Sequence, residues 1–258
     1  MKRVINRKST YEYGNYKEIE IYPVYSGSHQ KLRGEKAKRS KKSQRELNRK
    51  NRIKKIFRLL NANFTEKDYF LTLTYSDRFV PKTVEELEKD YRRVMQKIRK
   101  EYNRLGLELK YMSWIEKGVE KGRIHHHIVL SGGLSDPMIF FDKIFKKGFA
   151  DVKLLRPWYN DLKDLAEYFA KDPKGKRTFT CSKNLDRSCL TPKKIENNRT
   201  NKHEIKKIAE NYDDKDFFEQ KYPGYELVTA EVRRNEYSRA LYVYLVMRKK
   251  GCYDSFLD

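Results

Sequence analysis

Two sets of residues in this chain have types and spacing that can do chemistry. The first is His125, His126 and His127, three of only five histidines, within Arg123-Ile124-His125-His126-His127-Ile128-Val129-Leu130. The aliphatic and β-branched neighbours predict a strand. Side chains alternate along a strand, so His125 and His127 share one face while His126 lies on the other with Ile124 and Ile128. Two imidazoles two residues apart on one sheet face can grip one divalent metal. The competing reading is satisfied core histidines, which residue type alone favours. The second set is Tyr168 and Lys171, within Leu165-Ala166-Glu167-Tyr168-Phe169-Ala170-Lys171. At i and i+3 of a helix over about 159–171 they share a face. A tyrosine hydroxyl can attack a phosphodiester and form a covalent link, and a nearby lysine can lower its proton affinity or hold the phosphate. The alternative is packing plus a solvated amine, the usual role of such a pair on an amphipathic helix.

These residues need elements to position them. Tyr69-Phe70-Leu71-Thr72-Leu73-Thr74-Tyr75 is a β-rich run ending at Ser76-Asp77. Thr83 sets a capping box with Glu86 and opens a helix. Val84, Leu87, Tyr91, Val94, Met95, Ile98, Tyr102 and Leu105 follow its spacing, and Gly106 stops it. Residues 108–116 predict a strand and 117–122 a turn leading into the histidine strand. That hairpin pairs Glu116 with Arg123 and Trp114 with His125, leaving Glu116 diagonal to His125 on its face. A carboxylate beside two imidazoles makes a divalent-metal set with positions open to substrate oxygens. A turn one residue shorter flips Glu116 to the other face; it then reads as a turn carboxylate paired with Lys117 or Arg123.

Further along, the pattern predicts a helix from Ser135-Asp136-Pro137 to Gly148, a strand near 149–154, and the Tyr168 helix. A strand near 177–182, a polar stretch over 183–200, helices near 202–221 and strands near 225–233 and 239–247 follow. Residues 1–30 read as irregular, with scattered tyrosines. No internal repeat is visible. The class is α+β with a largely antiparallel sheet, organised as a basic extension over 1–60 and one domain over 61–258.

The net charge is +23, which favours a polyanionic partner, nucleic acid first. Residues 31–58 carry fourteen Lys or Arg against two Glu, about half of that excess. Arg39, Lys41, Lys42, Arg45, Arg49, Lys50, Arg52, Lys54 and Lys55, with Arg123, are therefore candidate DNA-binding residues. A solvated helix or a tail explains the same charge. No apolar run is long enough to span a bilayer, and no apolar core follows the charges of the N-terminus as in a secretory signal. The three cysteines form no Cys-x-x-Cys pair, so the cytoplasm is the expected compartment.

The order of these pieces resembles the HUH endonuclease superfamily, in particular the rolling-circle replication initiators of small phages and plasmids. Phe70 to Tyr75 matches its Thr-rich first motif. His125 and His127 match its His-hydrophobe-His motif, with His126 in place of the hydrophobe. Tyr168 and Lys171 match its tyrosine helix, and Arg177 to Leu185 resembles the segment after it. The resemblance covers about residues 68–186. It implies a ferredoxin- or RRM-like central antiparallel sheet with flanking helices, and a nickase acting on single-stranded or extruded origin DNA. By that resemblance Tyr168 is the nucleophile forming a 5′-phosphotyrosine link, Lys171 positions the phosphate, and His125, His127 and Glu116 hold Mg²⁺ or Mn²⁺. With one tyrosine in the motif, circle closure needs a second protomer in a transient dimer, a second cycle at Tyr168, or hydrolysis. No Walker-type phosphate loop is present, so unwinding falls to a host helicase. Two rivals stand beside this reading. One is a conjugative relaxase or single-tyrosine transposase. The other is a non-enzymatic RRM-like nucleic-acid binder, whose aromatics stack on bases.

Overall fold

The computed structural model describes residues 4–25, 41–117, 124–157, 159–170, 179–198, 202–235 and 240–252. Its elements, in chain order, are β1 (Val4–Tyr13), β2 (Tyr16–Tyr25), α1 (Lys41–Asn63), β3 (Tyr69–Tyr75), α2 (Val84–Arg104), β4 (Tyr111–Lys117), β5 (Ile124–Leu130) and α3 (Pro137–Ile144). Then come β6 (Gly148–Leu154), α4 (Tyr159–Phe169), β7 (Thr180–Cys181), β8 (Lys194–Asn198), α5 (Lys202–Glu210), α6 (Lys215–Lys221), β9 (Tyr225–Arg234) and β10 (Leu241–Lys249). The class is α+β with antiparallel sheets, as the sequence predicts, and is compatible with a ferredoxin-like fold. There are two sheets rather than one, ordered β8-β1-β2-β10-β9 and β6-β3-β5-β4-β7. Among the described residues no helix is long and apolar enough to cross a membrane.

The chain forms two compact units, residues 49–186 and residues 1–48 with 187–258. This division differs from a basic 1–60 extension followed by one domain. Residues 4–25, which read as irregular, are two ten-residue strands in full antiparallel register. They join at Gly14-Asn15, where Gly14 takes φ 50°, the positive φ a two-residue hairpin turn needs. β2 pairs with β10, and β1 with β8, which lies inside the stretch expected to be merely polar. Ile19, Ile21, Val243, Leu245 and Met247 put one face of this sheet against Ile205, Ile208 and Phe218 of α5 and α6.

In the other unit, alternate residues of β3 and β5 make the core. Leu71, Leu73, Tyr75, Ile128 and Leu130 pack with Leu87, Val94, Ile98 and Tyr102 of α2 and with Phe141 and Ile144 of α3. Each such side chain contributes about 1.5–3 kcal/mol on full burial. Thr83 caps α2 by accepting from the Glu86 N–H at 3.2 Å, and the Glu86 carboxylate accepts from the Lys82 N–H at 2.8 Å. The opposite face of the same sheet carries the histidine pair.

One glycine is indispensable to that sheet. β6 joins β3 so closely that a Cβ on Gly148 would lie 1.9 Å from the Thr74 carbonyl oxygen. The obstacle is backbone and cannot swing aside. Gly148→Ala is expected to cost about 3 kcal/mol or more through forced strand separation. A thermal melt checks this, and a Tm equal to wild type would show that β6 can shift.

Candidate active site

β5 runs between β3 and β4, so its side chains are hemmed from both sides. His125 opposes Thr74, and His127 opposes Thr72. Cross-strand partners share a face, and both threonines reach their histidines: Thr74 Oγ1 is 2.9 Å from His125 Nδ1, and Thr72 Oγ1 is 3.1 Å from His127 Nδ1. The two imidazoles stand 5.9 Å apart, nearly parallel. When Nδ1 carries the proton it donates to the threonine hydroxyl, and the Nε2 lone pair becomes a metal donor. This is the hydrogen-bonding arrangement that orients metal-binding histidines. The chemistry of the donor set therefore fits a divalent cation. Among the described residues no group of three His, Cys, Asp or Glu side chains is gathered to hold a metal.

α4 lies over this face. Leu162, Ala166 and Phe169 are fully buried, while Tyr168, at the edge of that stripe, is half-buried. The Tyr168 ring meets His127 edge-on at 5.5 Å and Trp114 edge-on at 5.1 Å. Trp114 joins the two elements: its ring stacks on His127 at 4.5 Å and lies 3.7 Å from Phe169. Phe70 stacks on His127 from the other side at 5.8 Å. His125, His127 and Tyr168 thus converge on one face.

The hairpin register departs from the sequence expectation by two residues. β4 continues to Lys117, which pairs with Ile124, so Glu116 opposes His125 directly and Trp114 opposes His127. A shift of two preserves the face that a shift of one would have reversed. The Glu116 side chain, Lys171, Arg123 and Arg39 fall outside the described residues, as do the side chains of Lys41 and Lys42 on α1. Of the other basic candidates, Arg45, Arg49 and Lys55 are exposed on α1, and Lys50, Arg52 and Lys54 are half-buried. Arg52 donates to the Ala170 carbonyl at 3.2 Å, which ties α1 to the end of α4. Sequence reasoning missed Thr72, Thr74 and Trp114; the alternation of β3 and β4 carried the signal, but only the register assigns the partners.

His126 points the other way, into the α2 side of the sheet. It is 1% exposed, lies against Tyr91 and Tyr75, and shares a 3.0 Å hydrogen bond between its Nε2 and the Tyr75 hydroxyl. Burial pushes its pKa from the ordinary 6.5 down to about 4. The folded chain therefore refuses a proton that the unfolded chain accepts. Its contribution is fully present above pH 6.5 and is lost as pH falls towards 4, by about 3 kcal/mol at the limit. Melts of wild type between about pH 7.5 and 4.5 should show this slope. His126→Gln, which keeps a hydrogen-bonding group for Tyr75, should lose part of it; equal slopes would count against a neutral, buried His126.

Residues 68–173 match a family model for replication-associated proteins of the ORF2 type. The match covers about two fifths of the chain and contains β3 through α4, hence the threonines, the histidine pair and Tyr168. Over this stretch the chain is similar to replication-associated proteins, consistent with a rolling-circle replication protein. No curated protein and no solved structure matches it.

Proposed function

We propose that this protein is a metal-dependent, strand-specific DNA nickase that initiates rolling-circle replication. The observation carrying this reading is the convergence of His125, His127 and Tyr168 on one sheet face, inside the stretch that matches replication-associated proteins. The Tyr168 oxygen attacks the scissile phosphorus of single-stranded or extruded origin DNA. A P–O bond forms to tyrosine, the P–O3′ bond breaks, and the phenolic proton ends on the departing 3′-hydroxyl. The product is a 5′-phosphotyrosine link, which keeps the energy for rejoining, and a 3′ end that primes synthesis. His125 and His127, with Glu116 as the carboxylate, would hold Mg²⁺ or Mn²⁺, which supplies charge stabilisation at a non-bridging phosphate oxygen. Lys171 lies one helical turn from Tyr168 in sequence and steadies the phosphate.

Thr72 and Thr74 fix the imidazoles, and Trp114 and Phe70 hold His127 from two sides and shut out water. The exposed cations of α1 add sequence-independent attraction for the DNA backbone. A host helicase and a cytoplasmic site of action belong to the same reading. The experiment is direct. Incubation with single-stranded circular DNA carrying the cognate origin and Mn²⁺, followed by denaturing electrophoresis, should give a covalent adduct. EDTA should abolish that adduct and excess Mn²⁺ restore it. An adduct indifferent to EDTA would remove the metal from the mechanism, and no adduct under any condition would favour a plain binding module.

A further inference from the structure

The open side of the histidine face is the edge strand β6. Its Ala150 and Val152 pack into the core, so Phe149, Asp151 and Lys153 project on the opposite face, and all three are exposed. Phe149 is 68% exposed, the highest value among the exposed large hydrophobic side chains described. It pairs with Thr74, which pairs with His125, so Phe149, Thr74 and His125 form one row across three strands. With strands spaced about 4.8 Å apart, Phe149 sits roughly 10 Å from His125, a span of one to two nucleotides. Further along the strand a groove of about 670 Å³ opens between β6 and α4. Its walls include Phe70, Leu154, Leu162 and Leu165, with Lys153 and Arg156 as its cations. Asp151 is the one carboxylate of the strip, and Lys153 pairs with it at 3.0 Å.

We propose that this strip is a track for single-stranded DNA, in which Phe149 stacks on an unpaired base beside the scissile phosphate while Lys153 and Arg156 take backbone phosphates. The proposal rests on the nickase reading and adds a subsite to it. An exposed aromatic ring fits a base, because every base has a π-face and stacking needs no sequence match. A duplex keeps those faces stacked inside and offers Phe149 nothing, so the strip selects single strands.

The test is binding of an oligo(dT) of about 20 nucleotides in EDTA, followed by anisotropy at several salt concentrations. Phe149→Ala is expected to weaken binding about tenfold, within the range for one stacked base. Its dependence on salt should match wild type, since no phosphate contact is removed. Its Tm should be unchanged, because an exposed side chain carries no core packing. Phe149→Trp should keep the affinity and add tryptophan quenching on oligonucleotide addition, a signature that a merely structural role would not give. Wild-type affinity in Phe149→Ala, or no added quenching in Phe149→Trp, overturns the track and leaves Phe149 to a protein contact. Wild type failing to bind the oligonucleotide overturns it as well. Intact binding with no covalent adduct on origin DNA removes the nickase reading but leaves the track standing as a binding surface.

Discussion

Tyr168→Phe is expected to abolish the covalent protein–DNA adduct and to lower nicking by at least about a thousandfold, because the phenolic oxygen is the nucleophile and no neighbouring group replaces it. The substitution is unusually clean here. Tyr168 holds its place through its ring, edge-on to Trp114 at 5.1 Å and to His127 at 5.5 Å, and phenylalanine keeps that ring. Stability should therefore change by no more than about 0.5 kcal/mol. Affinity for single-stranded DNA should stay within about twofold, since the phosphate contacts responsible for most binding are untouched. Adduct gels, a thermal melt and a binding titration on one preparation separate the three effects. If adduct persists, the nucleophile is another of the 19 tyrosines, and the geometry around His127 has a different purpose.

How much of this site was legible beforehand depends on which interactions are local. The alternation of Ile124 to Leu130 was enough to separate His126 from His125 and His127, because a period of two is a property of one strand. The Thr83 cap, the stripe of α2 and its stop at Gly106 were legible for the same reason. What lies around the histidines was not. That Trp114 stacks on His127, and that Thr72 and Thr74 hold the two Nδ1 atoms, depends on registers between strands far apart in sequence, which turn length and tertiary packing set. The hairpin β4–β5 shows the point: ending the strand one residue early at Glu116 moved every cross-strand pair by two, while keeping the faces right. The N-terminal hairpin was missed differently. Its Gly14-Asn15 turn is a recognisable signal, but its strands are rich in charge and tyrosine, and their partners, β8 and β10, lie nearly two hundred residues or more away.

Removing an imidazole should separate a metal site from a pair of packed histidines. His125 is the better probe: it is half-buried, whereas His127 is clamped between Trp114 and Phe70, so its loss would also disturb packing. His125→Ala is expected to weaken Mn²⁺ binding by more than about a hundredfold and to reduce adduct formation in proportion, since it deletes a ligand outright. Thr74→Val should act more gently. It removes the hydroxyl 2.9 Å from His125 Nδ1 and so frees the tautomer and the ring orientation, with a loss of about 10–100-fold in metal affinity. Raising Mn²⁺ should therefore restore adduct formation in Thr74→Val, whose ligands are intact, but not in a His125→Ala/His127→Ala double variant. Calorimetric Mn²⁺ titration reads the affinity without reference to catalysis. Wild-type Mn²⁺ affinity in His125→Ala would return the pair to packing, because a two-imidazole site that survives losing one imidazole was never coordinating through it.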